Sequence, residues 1–490
     1  MPNVAFIRPE LARLLPQYHL IRDCISGEPT IKAAKELYLP RPNAAKEADA
    51  RYDAYLKRAV YYNVTRRTLN GLVGQVFMCD PVIEVPVLLQ SVVDNVNGAG
   101  VNLTQHAKKA LRTGLAFSRA GLLVDYPETD GGASIADLAR GRIRPTIHSY
   151  EPSDVINWRT TDRGADEILS LVVLAESYAF ADDGFEMKTA AQLRVLSLDD
   201  AGNVLITIWR ETSPTLWDGR KVIRGTNFVP GKSYNPKGAD GNPLTEIDFK
   251  FIGSENNDSD IEEPNFYDIA SLNIAHYRNS ADYEEACFRI GQPTPVITGL
   301  TQEWVDEVLD GTVAFGSCAY IPLPVGGDAK LLQVEAQTMT SEAMDKKERQ
   351  MVALGAKLVE QKEVQRTATE AELEASSAGS TLASTAKNVQ EAYLWALKRC
   401  AALMGLPEAG IVFVLNTDFD IGTLGAQEQD AVGKAWQTGA ITFGEMRAVL
   451  RKSGIATEDD EAAKEKIATE TADAMALAMP ENVPGDDSGA

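Results

Sequence analysis

The chain has 490 residues, 44% of them hydrophobic and 24% charged, proportions of an ordinary globular protein with enough length for roughly two to four lobes. A formal net charge of −22 argues against tight binding along a nucleic-acid backbone, which needs clustered Lys and Arg. It does not exclude a surface past which nucleic acid slides without sticking. No run approaches the ~18 uninterrupted apolar residues of a membrane span, and residues 1–10 lack a basic region followed by an apolar one, so neither membrane insertion nor secretion is expected.

Residues 1–42 are punctuated by proline and carry no clear period, ending in Tyr38-Leu39-Pro40-Arg41-Pro42. Tyr52, Tyr55, Leu56, Ala59, Val60, Leu69 and Leu72 recur at helical spacing and predict one helix over 44–73. Two shorter helices are expected over 87–96 and 103–117, then a buried strand over 121–126. From 144 to 253 the texture is that of short strands (154–159, 168–174, 193–198, 204–209), with Asp200-Ala-Gly-Asn203 and Asp218-Gly219 as hairpin signals. A Gly/Pro/Asn-rich loop over 230–243 and a polar, acidic linker over 254–263 close this region.

After Pro264 the pattern predicts a helix over 266–290, roughly 36 Å long, which breaks at Gly291-Gln-Pro293. A small α/β insert follows, with strands at 295–298, near 319–323 and at 329–334, and a helix over 302–309. A charged helix over 341–359 then returns in the opposite sense. Thr367-Ala-Thr-Glu370 is a capping box, and helical character continues to about 404, roughly 55 Å. Ser376-Ser-Ala-Gly-Ser380 is a weak spot where such a helix kinks. A strand over 411–415 precedes an acidic, Ala-rich helical tail. Residues 458–490 carry about ten carboxylates against two lysines, which predicts fraying or disorder.

No familiar chemistry stands out. Gly225 to Ser233 resembles a phosphate-binding loop, but five residues separate Gly225 from Gly231, one of them is Pro230, and no helix follows. Leu122-Leu-Val-Asp125, without such a loop, reads as a buried strand. Ser376–Ser380 is no nucleophile elbow, since it lies in a helix with no His or Asp placed to serve it. Cys24, Cys79, Cys287, Cys318 and Cys400 are odd in number and scattered, so neither disulfides nor a thiolate zinc site is expected. His19, His106, His148 and His276 lack ligand spacing and read as core or surface residues. The tyrosines of 44–73, with Tyr393, Trp395 and Trp436, read as core, because no basic residues interleave them as a nucleic-acid groove needs. Glu284-Glu285 and the run Asp345 to Arg349 read as exposed helix faces with i,i+4 pairs. Asp258, Asp260, Glu262 and Glu263 could hold a hard cation, but read first as a solvated linker.

The order of elements resembles that of tailed-bacteriophage portal proteins. Local phrases similar to that family are Arg58-Ala-Val-Tyr-Tyr62 with Thr65, Thr68-Leu69, Gly71 and Val76-Phe77; Gly121-Leu-Leu-Val-Asp-Tyr-Pro127; Asn157-Trp158-Arg159; Asn273 with His276-Tyr277-Arg278; and Thr367-Ala-Thr-Glu370. The resemblance covers about 35–455. It implies an α+β, portal-type fold: an α/β wing (1–262), a two-helix stem (263–290 and 341–359), a small α/β clip (291–340), a tunnel loop (360–366), a long kinkable spine helix with a C-terminal wing strand (367–424) and a helical crown with acidic tail (425–490). It further implies a ring of about twelve subunits closed by head-to-tail contacts, set at the portal vertex of the capsid beside the major capsid protein. Terminase would dock on the clip, later replaced by a head-completion or adaptor protein, and double-stranded DNA would pass through the channel. The virion, and the host cytoplasm during assembly, would be its location. Neither enzymatic activity nor a cofactor or metal is expected.

On this resemblance, Lys362 and Arg366 in the tunnel loop, with Lys346, Lys347 and Arg349 on the stem, are the candidate sequence-blind contacts to DNA in a channel otherwise lined by carboxylates. Their plain alternative is solvation of helix ends. Two other readings of the whole chain stay open. One is a different phage connector or scaffold ring without a through-going channel, and the other is a cation-dependent hydrolase using the acidic loop.

Overall fold

The computed structural model describes residues 3–42, 49–126, 143–212, 227–290, 294–308, 322–332, 338–357, 380–417, 419, 426–452, 456 and 460–478. It mixes helices and antiparallel sheets, the α+β class expected, and separates into two compact units, Met1–Thr417 and Asp418–Ala490.

The first unit opens with a helix the sequence pattern hides. Helix α1 (Pro9–Ser26) starts with proline in its first turn, where the missing amide costs nothing, and carries Pro16 inside. Burial of Leu11, Leu14, Tyr18, Ile21 and Cys24 on one face outweighs that breaker. The short α2 (Glu28–Ala33) follows directly. The single helix expected over 44–73 is two helices, α3 (Asp49–Arg58) and α4 (Val64–Val76). The chain leaves the helix after Arg58 and restarts at Asn63, whose side chain caps α4 by accepting from the Arg66 amide. A short turn of helix, α5 (Gln90–Asp94), and α6 (Leu103–Phe117) follow, the latter capped by Asn102 and ending at Ser118 in the left-handed region.

Strand β1 (Val82–Glu84) pairs with β12 (Val412–Val414), far along the chain. Strand β2 (Arg119–Asp125) is central in a three-stranded antiparallel sheet between β3 (Thr146–Tyr150) and β9 (Phe249–Gly253). Gly121 on β2 is required there, because a Cβ would stand 2.5 Å from the Phe249 ring. A separate antiparallel meander runs β4 (Val155–Arg163), β5 (Asp166–Asp182), β6 (Met187–Leu198), β7 (Val204–Glu211) and β8 (Phe228–Tyr234) in sequence order. Its inner face packs Ile156, Val173, Ala175, Leu193 and Phe228 against Ala5, with Val4 and Ile7 alongside. Gly231, Lys232 and Ser233 therefore lie in the edge strand β8, not in a loop around a phosphate; the Asp218-Gly219 turn lies outside the described residues.

Two long helices leave and re-enter this lobe: α7 (Tyr267–Ile290) and α9 (Met339–Lys357). Between them stand the paired strands β10 (Thr294–Thr298) and β11 (Asp328–Leu332) and helix α8 (Gln302–Val308). Of the strand expected near 319–323, residues 319–321 lie outside the described residues, and 322 and 323 are not in a strand. Helix α10 (Thr381–Leu403) returns through the centre of the lobe, with Leu382, Ala386, Val389, Tyr393, Ala396, Leu397 and Cys400 fully buried. It begins at Ser380, which caps it by accepting from the Ala383 amide. Of the kinkable helix expected over 367–404, the described part starts afresh at Ser380, within the expected weak spot, with serine as its cap; residues 367–379, with Thr367-Ala-Thr-Glu370, lie outside the described residues. Small residues let α10 come close, and a Cβ on Gly114 of α6 would stand 3.2 Å from the Thr385 methyl.

The second unit holds α11 (Ala426–Gln437), α12 (Phe443–Lys452) and α13 (Asp460–Ala478). Thr442 and Glu445 form a reciprocal capping box at the start of α12. The acidic tail, expected to fray, is helical from Asp460 to Ala478. Trp436, expected in a core, is exposed and meets the Phe443 ring edge-on at 6.0 Å.

Candidate functional site

The two-helix projection is built from α7, its insert and α9. Because β10 and β11 pair antiparallel from Thr294↔Leu332 to Thr298↔Asp328, the chain must leave along α7 and come back along α9. Two contacts fix that sense. His276 meets Glu348, and Gly355, nearer the end of α9, lies within van der Waals reach of Thr68 on α4, so α9 runs toward the lobe.

The root of α7 is a row of polar residues at helical spacing, Asn273, His276 and Ser280, all buried. The Asn273 carbonyl oxygen accepts from the Tyr61 hydroxyl at 3.0 Å, the Thr65 hydroxyl at 2.9 Å and the Thr65 amide at 3.2 Å. Its NH2 donates to the Tyr62 carbonyl at 2.8 Å. A buried amide thus has both ends satisfied, and it fixes the start of α4 on α7. Ser280 accepts from the Val60 amide at 3.2 Å, and Arg278 donates to the Tyr38 carbonyl at 2.8 Å. Further out, the Tyr55 hydroxyl donates to Asp282 at 2.7 Å, while Glu285 takes Arg58, whose guanidinium also covers the Phe288 ring at 4.2 Å. Burial and the Asp282 carboxylate push the Tyr55 phenol well up from its usual range. Glu285 is thus no freely solvated helix face. The phrases Arg58 to Tyr62 with Thr65, and Asn273 with His276 to Arg278, distant in sequence, meet in one seam with Tyr61, Thr65, Asn273, His276 and Tyr277 buried at its centre.

Of the candidate DNA contacts, Lys346, Lys347 and Arg349 share one stretch of α9, while Lys362 and Arg366 lie outside the described residues. Lys346 and Arg349 are exposed, three residues apart on one side of the helix. Arg349 donates to the Asp345 backbone carbonyl at 3.3 Å rather than forming the i,i+4 ion pair expected from the sequence. Lys347 is half-buried, and burial lowers its ammonium from the usual lysine range. Glu348, between them, turns the other way, onto the buried His276. Sequence reasoning missed that inward carboxylate and the Asn273 seam. The available signal was the run of polar residues on the side of α7 that its neighbours Ile269, Ala270, Ile274 and Tyr277 mark as buried.

The acidic segment expected as a solvated linker is an ordered loop. Glu262 folds back, accepting from the backbone amides of Ser254 at 2.9 Å and Glu255 at 3.0 Å and from the Ser254 hydroxyl. Arg119, buried between Trp158 at 4.6 Å and Phe251 at 3.8 Å, donates to the carbonyls of Ser259 and Asp260. The Trp158 indole adds a bond to Ser259 at 2.9 Å. Burial lowers the Arg119 guanidinium to about 10. The loop's one inward carboxylate is thus spent on backbone amides, and among the described residues no three His, Cys, Asp or Glu cluster as metal ligands would. His106 is a core histidine: its Nδ1 stands 2.6 Å from the Tyr393 hydroxyl, and burial lowers its imidazole to about 4.

A family model described as a domain of unknown function (DUF4055) matches residues 265–404, from the start of α7 to the end of α10. No curated protein matches the chain. Among solved structures, the chain is similar to one described as the neck of an empty GTA particle computed with C6 symmetry. The identity is 13% and the TM-score 0.41, over 87% of this chain and 98% of that one.

Proposed function

We propose that the chain is a portal subunit of a tailed phage or phage-like particle. Copies close into a ring of about twelve by head-to-tail contacts, and double-stranded DNA passes through the ring during packaging and ejection. The observation that carries this reading is the antiparallel pair α7 and α9, rooted in a large α/β lobe by the Asn273 seam and ending in a small strand-and-helix insert. That is the order of wing, stem and clip which the sequence resembles, and α10 re-enters the lobe as a spine would.

The role that follows is mechanical and electrostatic, not enzymatic. In this reading a channel lined mostly by carboxylates, in a chain of formal charge −22, repels phosphate, so DNA meets no deep binding minimum as it slides. Lys346 and Arg349, with Lys362 and Arg366, supply weak contacts that read no sequence. Terminase and then a head-completion protein dock at the insert, and the ring sits in the capsid shell at one vertex. The experiment is the mass and projection image of the purified chain. A ring of about a dozen copies around a hole wide enough for a ~20 Å duplex supports the reading. A lasting monomer or dimer at high concentration overturns it.

A further inference from the structure

Resting on the reading that copies associate, the geometry points to a specific contact between them: the tip of the β5–β6 hairpin of one copy docks on the cationic, apolar-floored face of α4 and α6 in the next. In the five-stranded meander, the described residues of β4 pair with β5 as far as Leu174, and those of β7 pair with β6 from Gln192 onward. Beyond those points the β5–β6 pairing runs on from Ser177↔Ala191 to Asp182↔Met187. The turn that joins the two strands is firmly built. Asp182 accepts from the Gly184 amide at 2.8 Å, Gly184 takes a φ of +89°, and Asp183 accepts from the amides of Phe185 at 2.9 Å and Glu186 at 2.6 Å. The tip therefore holds Phe185 fully in solvent at 102% exposure, with Met187 exposed beside it and Asp182, Asp183 and Glu186 around them. A fixed turn that presents an aromatic ring within a ring of carboxylates has the make-up of an anchor.

The complementary surface lies on α4 and α6. Arg112 of α6 donates to Asn70 of α4, Lys108 stands 5.9 Å from the Phe77 ring, and Arg66 lies close enough to Arg112 to lower its guanidinium further after burial has done so. Arg67 is exposed on the same helix. Among the described residues none of these four cations is ion-paired with a carboxylate, in a chain whose net charge is −22. Between the cations α4 is flat: a Cβ on Gly71 or Gly74 would meet nothing within 4 Å. Just past the end of α4, Met78 is exposed, and so are Val82 on β1 and its cross-strand partner Val414. A duplex backbone would satisfy the charge but would leave the methionine and valines in water. An acidic tip with a central phenylalanine satisfies both, and this chain carries one.

Cys79, exposed and next to Met78, is a built-in reporter. The full-length Phe185→Cys variant, oxidised mildly under conditions where the wild type assembles, is expected to lose its single-chain band to a ladder on a non-reducing gel. Adding Cys79→Ser should abolish that ladder. Glu186→Cys provides a second exposed reporter should the first variant assemble poorly. An assembled wild type whose variants give no ladder, or a ladder indifferent to Cys79→Ser, overturns this contact while leaving the ring intact. Loss of duplex binding in Lys108→Glu with no such ladder assigns the face to DNA and also overturns it. A wild type that stays a single chain at every concentration removes the ring reading itself, and this contact with it.

Discussion

His276 Nε2 on α7 and Glu348 Oε1 on α9 stand 3.1 Å apart across the helix pair, the imidazole 3% exposed and the carboxylate 43%. That asymmetry decides what each contributes. Glu348→Ala removes a carboxylate half in solvent and should cost less than about 1 kcal/mol. His276→Ala empties a buried site at the interface and should cost about 3 kcal/mol. Urea unfolding of both single variants and the double variant measures the difference and the coupling. Equal costs would show that the charge, not the packing, joins the helices.

The Asn273 amide should be the most expensive polar group in the joint. Asn273→Ala leaves the Thr65 hydroxyl and amide, the Tyr61 hydroxyl and the Tyr62 carbonyl competing for fewer partners in a buried site, a loss of about 4 kcal/mol. Thr113→Ala, which gives up the 3.1 Å bond from its hydroxyl to the Lys109 carbonyl one turn back on α6, should cost under about 1 kcal/mol. Denaturant midpoints of the two variants test the contrast.

Gly253→Ala should dismantle the acidic loop from beneath. The added methyl would strike the Asn256 carbonyl and stand 2.6 Å from Glu262 Oε1, the group that holds the loop's amides. A loss of about 3 kcal/mol is expected, with faster amide exchange confined to residues 254–262 as the local signature.

Stability should carry an acid-side signal from Asp248. Burial raises this carboxyl to about 6 despite Arg399, whose Nε donates to it at 2.6 Å. In the unfolded chain an aspartate titrates near ~3.9, so between the two values the folded state holds the extra proton. The contribution is full below the unfolded value and is lost as pH rises through about 6, a swing on the order of 3 kcal/mol. The wild-type advantage over Asp248→Asn should therefore fall from pH 5 to pH 7 and stay level above. A difference that grows with pH would mean that the ion pair with Arg399 outweighs burial.

Lys346→Ala with Arg349→Ala should leave the thermal midpoint nearly unchanged, because both side chains are exposed and neither spans two elements. If the chain is the portal subunit proposed above, packaged DNA should be retained less well in a particle assembled with this variant, more so when Lys362→Ala and Arg366→Ala are added. Normal packaging and retention in the fourfold variant would remove these residues from the channel.

What the sequence made legible followed local chemistry. Helix α6 was readable to the residue because apolar spacing and the Asn102 cap agree; β4 to β7 were readable as strands because turn residues punctuate them, but β5 (Asp166–Asp182) and β6 (Met187–Leu198) run well past the expected 168–174 and 193–198. The break between α3 and α4 was hidden because residues on both helices face one core, so periodicity runs on through Ala59 and Tyr61 where the backbone does not. Helix α1 was hidden by Pro16, a strong local penalty that burial of Tyr18 and Ile21 overrides. The site was legible as phrases but not as a place. Nothing near Asn273 in sequence says that it accepts from Tyr61 and Thr65, and nothing in the run from Lys346 to Arg349 says that Glu348 alone turns inward.

The seam on α7 has a consequence for how the molecule bears force. Its bonds run from Asn273 through Ser280 and Asp282 to Glu285, more than three turns of helix, and each reaches sideways to a fixed point at Tyr55, Arg58, Val60, Tyr61 or Thr65. A pull along the helix axis loads these bonds together in shear, so none yields before the rest. A pull across the axis at the outer end opens them one at a time, starting at Glu285, as a zipper opens. The joint is thus strong lengthwise and weak to prying: under the same load it holds when pulled end-on and parts when levered from its outer end.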